Sequence, residues 1–246
     1  MKENQPQRAS GRTDAARMKA ILTLTAAIFF AASPFVSGAF GGFRPDQFPI
    51  PQDNPPVQPA GYAFSIWGLI YLWLIVSAVY GLFHSAEDPA WDRTRLPLIL
   101  SLGVGAGWIA VALASPVWAT ILIWFMLITA LWAFLAAPMT DRWVLRVPLA
   151  LYAGWLTAAS SVSIGLLGAG YGIAMGQVGW AIAAILLALV IAVLILRASA
   201  PAPEYAAALV WALIAVAVAN GTAHLMITGL ALLGAAALVA LSLRKT

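Results

Sequence analysis

The stretch PAGYAFSIWGLIYLWLIVSAVYGL, residues 59–82, is the clearest sign of the protein's architecture. It is long and apolar enough to cross the hydrocarbon core of a bilayer, which takes about 20 apolar residues in a helix. A segment that only contacted lipid would need nothing beyond Leu and Val, yet this one carries two Trp, three Tyr and one Phe. The stretch therefore predicts a transmembrane helix whose aromatic side chains have a role beyond contact with lipid.

The composition of the whole chain is that of an integral membrane protein. Of its 246 residues, 63% are hydrophobic and 9% are charged, whereas a soluble domain has about 25% charged residues. The apolar runs lack the alternation of a membrane β-barrel, so we predict an all-α, polytopic membrane helix bundle. About eight transmembrane helices are expected, at residues 19–41, 61–84, 96–114, 117–137, 147–169, 176–197, 205–220 and 223–243.

The basic residues predict how this bundle is oriented. With the N-terminus in the cytoplasm, twelve of the 13 Lys and Arg residues fall in cytoplasmic segments, and only Arg44 falls on the other side. This is the asymmetry of the positive-inside rule. We therefore predict a multi-pass protein of the bacterial inner (cytoplasmic) membrane with both termini cytoplasmic. The first span also resembles a signal peptide, but its apolar run exceeds the about 7–15 residues typical of one, so we expect it to be retained.

The placement of charged and metal-binding residues argues against several functions. Every acidic and basic residue falls in a predicted loop or at a helix end, which disfavours a proton pump or a charged ion filter, because such proteins keep charges within the membrane. The chain has no Cys, and His84 and His224 are predicted at opposite membrane faces. We expect no permanent cofactor, no metal and no catalytic set. No nucleic-acid partner is expected either, because the net charge of +4 comes from short loops.

The aromatic residues of the second predicted helix form a stripe. Phe64, Trp67 and Tyr71 follow the spacing i, i+3, i+7 and so share one face. Two interpretations remain open: the rings pack against neighbouring helices, or they form the wall of a cavity for a flat, apolar ligand. The second is favoured by the N–H and O–H groups on the rings, which need partners at membrane depth.

The fifth predicted helix carries a complementary row of small residues. They recur at i, i+4, i+7 and i+11 and are Gly154, Ala158, Ser161 and Gly165. Such a small-residue seam allows another helix to approach closely, so we interpret these four as helix-packing residues.

The loop at residues 42–60, between the first two helices, is unusually long and rich in Pro. Proline makes it stiff and non-helical, and it carries Phe43 and Phe48 in an otherwise polar strip. Long loops in compact domains are usually functional. We predict that this external loop folds over the end of the bundle as a lid.

These residues resemble the TspO/MBR family, the translocator proteins also called tryptophan-rich sensory proteins. That family enters its second helix with Pro-Pro-Gly-Trp-Val-Phe, Gly-Pro-Val-Trp and Thr-x-Leu-Tyr. This chain has PAGYAF at residues 59–64, then Trp67 and Tyr71, with one residue fewer between the Phe and the Trp. In the third helix, Trp108 matches the Trp of the family's Asn-x-x-Trp, but Gly105 replaces the Asn.

The fifth helix extends the resemblance. The family pattern there is Pro-Tyr-x-x-Trp-x-x-Phe-Ala-x-x-x-Asn. Tyr152, Trp155 and Ala159 match it, whereas Ser163 stands in place of the Asn and the Pro and Phe positions are also changed. With two polar positions of the family altered, the ligand is expected to differ in its polar contacts.

The resemblance covers about residues 19–169 and implies a five-helix bundle with an internal cavity closed by the 42–60 loop. Residues 1–18 are then a basic cytoplasmic tail, and residues 170–246 add three transmembrane helices and a short basic tail, as in a longer bacterial form. The resemblance also implies a bound porphyrin or other hydrophobic ligand. The ligand-binding residues that it implies are Tyr62, Phe64, Trp67, Tyr71, Trp108, Tyr152, Trp155, Ala159 and Ser163.

Four functions follow from these observations, and the sequence leaves them open. The first is a sensor or carrier for tetrapyrrole-like ligands. The second is a transporter or facilitator of another small solute, and the third is a structural membrane subunit whose seams dock other helices. An enzyme acting on the bound ligand is the least supported, because no catalytic set is present. The expected partners are membrane lipid, a hydrophobic small molecule and a second copy of the chain in a homodimer.

The predicted orientation can be tested with reporter fusions. A reporter placed after Thr246 should be active on the cytoplasmic side, and one inserted beside Asp53 should be active on the opposite side, because an odd number of predicted spans separates them. Paired phosphatase and fluorescent-protein fusions measure this. Both fusions reporting the same side would contradict the orientation.

Overall fold

The computed structural model describes residues 5–244 and contains no β-strand over that range. Eight helices are long and apolar enough to cross a membrane, which confirms the predicted all-α fold and the multi-pass membrane protein. Short 3-10 turns occupy Pro45–Gln47 and Gly61–Ser65, and a π-helical turn at Arg142–Arg146 leads into the fifth helix. The helices are α1 (Gln5–Ser37), α2 (Ile66–Phe83), α3 (Pro89–Ala114), α4 (Pro116–Ala136), α5 (Val147–Gly170), α6 (Gln177–Ala198), α7 (Pro203–Asn220) and α8 (Leu225–Leu243).

Two helices begin well before their apolar runs. The helix α3 starts at Pro89 rather than at residue 96, because the Asp88 side chain accepts a hydrogen bond from the Ala90 N–H at 2.7 Å and proline suits the first helical position. The helix α1 starts at Gln5, so residues 5–18 of the predicted tail are helical. Residues 1–4 and 245–246 of the predicted tails lie outside the described residues.

The helix α5 is the core of the bundle. It packs against α2, α4, α6 and α7, and all of its residues are buried except Ala159, Val162, Ile164 and Leu167. A helix with so little free surface needs close approach on several sides, which small side chains provide.

At its two glycines, the small-residue seam of α5 faces α6 and α7 rather than the aromatic stripe of α2. A Cβ added at Gly154 would lie 3.0 Å from the Ala208 Cβ and closer still to the Tyr205 carbonyl oxygen, both on α7. A Cβ at Gly165 would lie 3.1 Å from the Ala184 Cβ on α6. The seam therefore docks α6 and α7 onto the first five helices.

The end of the bundle opposite the 42–60 loop is closed by a buried arginine, Arg95 of α3, which is 3% exposed. Its guanidinium donates to the carbonyl oxygens of Gly81 and Ser85 at the end of α2, at 3.2 and 2.6 Å. It also donates to Ala16 of α1 at 3.1 Å and to Ala86 at 2.5 Å. Because helix C-termini leave unpaired carbonyls with partial negative charge, this cation caps α2 while it ties α1, α2 and α3 together.

Arg146 has the equivalent role beside α4 and is also 3% exposed. It donates to the Ala137 carbonyl at the end of α4, at 2.6 Å, and to the Ala200 carbonyl after α6, at 3.2 Å. Its guanidinium carbon lies 4.8 Å from the centre of the Phe134 ring. Basic residues at this end therefore hold helix ends together, in addition to the role in orientation that the sequence predicts for them.

We expect Gly154→Ala to destabilise the protein by about 1–3 kcal/mol, because the added methyl group overpacks the α5–α7 contact. The measurement is the melting temperature of the purified protein in detergent. Gly103→Ala is the matched control: it lies within α3, and a Cβ there meets no atom within 4 Å. Equal melting temperatures for the two variants would contradict the close α5–α7 approach.

Candidate ligand-binding site

The 42–60 loop lies across one end of the bundle and is bonded to three helices. The Gln47 side chain donates to the Ala112 carbonyl of α3 at 2.9 Å. The Ile50 N–H donates to the Gly170 carbonyl of α5 at 2.9 Å. The Ala60 N–H donates to the Ala215 carbonyl of α7 at 3.0 Å. The loop is therefore a folded cover with defined contacts at both of its ends and in its middle.

A cavity of about 280 Å³ lies between α1, α2, α3 and α4, close to this cover. We call it the α1–α4 cavity. Its walls are largely apolar and rich in aromatic rings, among them Phe30, Phe64, Trp67, Tyr71 and Trp108. It reaches the outer surface of the bundle between α1 and α2, where the lining residues Phe35 and Gly68 are exposed.

A second cavity, of about 60 Å³, lies against α5 directly beneath the loop. We call it the α5 cavity. Trp155, Ala159 and Ser163 of α5 line one side, and Phe43 and Pro59 of the loop line another. Ala212 and Val216 of α7 form a further part of the wall. The candidate site therefore extends beyond the first five helices, which the sequence analysis did not anticipate.

The two cavities share a wall. Four apolar side chains line both of them: Phe40, Phe64, Trp108 and Ile123. The Phe40 ring meets the Trp108 ring edge-on at 4.9 Å between centroids and the Phe64 ring at 6.2 Å. Movement of these side chains would join the two spaces into one.

The aromatic stripe of α2 packs against α1 and also lines the α1–α4 cavity. Trp67 and Tyr71 stack on each other, with centroids 5.3 Å apart and planes 16° from parallel. Phe30 of α1 meets them edge-on, at 5.7 Å from Trp67 and 5.0 Å from Tyr71. Such pairs stabilise a core beyond simple burial. The same rings therefore pack against α1 and line the α1–α4 cavity.

The structure brings most of the predicted binding residues together, and two lie apart. Phe64, Trp67, Tyr71, Trp108, Trp155, Ala159 and Ser163 line one cavity or the other. Tyr62 does not: it is exposed and packs edge-on against Trp211 at 5.3 Å. Tyr152 is fully buried behind the cavities, where its hydroxyl and that of Ser101 are hydrogen-bonded at 2.9 Å.

Phe30 and Phe40 are lining residues that the sequence analysis missed. In sequence they belong to the first apolar run and its end, where a ring is equally suited to lipid. The signal for Phe30 is Gly105, which stands where the family pattern has Asn. A Cβ at Gly105 would lie 2.6 Å from the Phe30 ring, so the glycine makes room for that ring.

Some polar groups of the site have hydrogen-bond partners, and one does not. Trp108 donates to the Ala119 carbonyl at 2.8 Å, and the Ser163 hydroxyl donates to the Ser160 carbonyl at 2.7 Å. Trp155 is 2% exposed, and its indole N–H has no hydrogen-bond acceptor. An unpaired buried donor costs about 1–3 kcal/mol. The wall of the site therefore includes a buried indole N–H that has no acceptor within the described residues.

The described residues hold no group of three or more His, Asp or Glu side chains placed to bind a metal ion. His84 stacks on Tyr80 at the end of α2, with centroids 4.6 Å apart. His224 lies in the turn between α7 and α8, at the opposite end of the bundle.

Comparison with known families extends the resemblance seen in the motifs. A family model described as TSPO-like protein matches residues 20–244, from α1 to the end of α8. No curated protein and no solved structure matches the chain. The match spans the last three helices as well as the first five, so it does not itself divide the chain after residue 169. The chain belongs to the TSPO-like protein family.

Proposed function

We propose that this membrane protein binds a flat, apolar ligand of the tetrapyrrole class beneath the 42–60 loop and acts as a sensor or carrier for it. The observation that carries the proposal is the unpaired N–H of Trp155, a residue in the wall of a largely apolar cavity that contains several aromatic rings. A buried donor without an acceptor is costly, and a ligand oxygen in this cavity would supply the acceptor that the protein does not. Porphyrins combine a planar apolar ring system, which suits the apolar cavity, with acceptor oxygens on their side chains, which could accept from the Trp155 N–H.

The volumes favour a ligand that joins the two cavities. Small-molecule sites have volumes of about 300–1,000 Å³, and the α1–α4 cavity alone is about 280 Å³. Displacing Phe40 adds the α5 cavity and gives the ligand access to Trp155. Phe40 lies outside any helix between Gly38 and Gly42, both of which have positive φ, at 90° and 119°. The ring therefore sits on a segment that no helix hydrogen bonds restrain.

The route that we propose for the ligand is through the bilayer. The α1–α4 cavity reaches the bundle surface between α1 and α2, while the loop end is covered and bonded to three helices. An apolar ligand partitions into lipid, so a lateral opening suits it better than an aqueous one.

Binding is favoured over the other functions considered. A structural subunit would use exposed small-residue seams to dock other proteins, but the seam of α5 is already covered by α6 and α7. A ligand-modifying enzyme would need acid–base or nucleophilic groups in the cavities, whose lining is almost entirely apolar. We therefore propose binding without chemistry.

Replacing Trp155 with Phe should weaken porphyrin binding about 2- to 10-fold, the loss expected for one hydrogen bond when the ring itself is kept. The measurement is a titration of the purified protein with protoporphyrin, followed by the porphyrin absorbance. Trp132→Phe is the matched control, since Trp132 lies on α4 and is 53% exposed on the outer surface. Equal affinities for both variants would contradict the role of Trp155.

Replacing Phe40 with Ala should speed the association of protoporphyrin, because the ring that separates the two cavities no longer has to move. Stopped-flow mixing measures the association rate constant. Phe29→Ala on the outer surface of α1, where the residue is 64% exposed, should leave the rate unchanged. A slower association in Phe40→Ala would mean that the ring holds the ligand and does not gate it.

A further inference from the structure

A third cavity lies on the outer side of the 42–60 loop and differs in character from the two beneath it. It has a volume of about 460 Å³ and lies between the loop and the turn that joins α7 to α8. Phe43, Gln58 and Pro59 separate it from the α5 cavity, because they line both. Its remaining walls include Gln52, Asn220 and His224. We call it the outer cavity.

The outer cavity is rich in hydrogen-bond acceptors. Four prolines contribute to its wall, and proline supplies a carbonyl oxygen but no N–H; they are Pro45, Pro55, Pro56 and Pro59. The carbonyls of Pro45, Pro55 and Pro56 already accept hydrogen bonds within the protein. The amides of Gln52 and Asn220 add a side-chain oxygen each, and neither oxygen has a donor partner. The unsatisfied groups at this site are thus acceptors, and a ligand that completes them must donate.

The orientation of these amides is set by the bonds that their NH₂ groups make. The Asn220 NH₂ group donates to the carbonyl oxygens of Pro56 and Val216, both at 2.8 Å. The Gln52 NH₂ group donates to the Ile50 carbonyl at 2.9 Å. Exchanging oxygen and nitrogen would break these bonds, so the oxygens are the unpaired atoms. Gln52 is 3% and Asn220 4% exposed, and a buried acceptor without a donor is costly.

From this geometry we infer that the outer cavity binds a small organic amine through its ammonium group, with Gln52 and Asn220 as acceptors. The ammonium group carries three donors and no acceptor, as the site requires. The volume exceeds that of a bare ion and suits a molecule with a carbon skeleton, which Phe43, the prolines and Ala219 can contact. Both oxygens are shielded from water in this conformation, so a small adjustment of the amides accompanies binding.

Charge near the cavity favours a cation. The loop contains Asp46 and Asp53 but a single basic residue, Arg44, and Arg44 is paired with Asp46 at 3.1 Å. Asp53, next to Gln52 in sequence, is exposed. The amine can come from the aqueous phase or from the ethanolamine headgroup of a lipid. This inference is independent of the proposed porphyrin site, since it rests on other polar groups and another cavity.

The test uses the full-length protein in phosphatidylcholine nanodiscs, with the melting temperature measured against ethanolamine concentration. A ligand that binds the folded state raises this temperature. We expect a saturable rise with ethanolamine and none with tetramethylammonium, which has the same charge but no N–H. An equal rise with both would overturn the proposal, because it would reflect charge alone.

Variants of Gln52 test whether ethanolamine acts by binding in the outer cavity. Gln52→Met removes the acceptor and should raise the half-saturation concentration of ethanolamine about 10-fold, as expected for a hydrogen bond to a charged group. Gln52→Glu keeps an acceptor oxygen, adds a negative charge and should lower it. The control is Gln177→Met at the start of α6, outside the outer cavity. Responses of both Gln52 variants equal to that of the control would overturn the site.

The two sources of the amine are separated by a lipid exchange. If the headgroup is the ligand, nanodiscs of phosphatidylethanolamine should raise the melting temperature over those of phosphatidylcholine, and Gln52→Met should abolish that difference. Free ethanolamine then adds nothing in phosphatidylethanolamine. No response to either source would overturn the proposal.

Discussion

The close approach of α6 and α7 to α5 is the contact on which the rest of the structure depends. Between membrane helices there is little hydrophobic driving force, so association relies on van der Waals contact and on polar bonds. Gly154 and Gly165 remove the side chains that would hold the helices apart. With α7 seated this closely, its residues Ala212 and Val216 reach the α5 cavity and close its wall. The closed wall of the α5 cavity thus follows from the absence of a side chain at these two glycines.

The transmembrane spans could be predicted from the sequence, but the starting residues of α1 and α3 could not. Hydropathy reports only the part of a helix that would lie in lipid, and the early turns of α1 and α3 are polar. The start of α3 is determined by Asp88 and Pro89, a local cap that no hydropathy average detects. For the same reason hydropathy does not show that Arg95 lies inside α3, where backbone carbonyls and Asp92, 3.7 Å away, stabilise its charge.

Some residues of the candidate site could be predicted from the sequence, because they follow a helical spacing or a family motif. Phe64, Trp67 and Trp108 were identified because helical spacing and family motifs place them on inward faces, and the structure puts them around the cavities. Phe30 and Phe40 have no such pattern, since a Phe in an apolar run is as suited to lipid as to a cavity. Tyr62 matched a motif yet lies outside both cavities, because the 3-10 turn at Gly61–Ser65 directs it toward Trp211.

The hydrogen bonds between α7 and the start of α2 have a consequence for how the protein is made. Trp211 donates to the Ala63 carbonyl across 148 positions of sequence, and Asn220 donates to the Pro56 carbonyl across 164. Because the chain is synthesised from its N-terminus, the proline-rich segment before α2 emerges long before the residues of α7 that bond to it. Until α7 has been inserted, the segment before α2 lacks these two hydrogen bonds, and the α5 cavity stays open on the side that Ala212 and Val216 close.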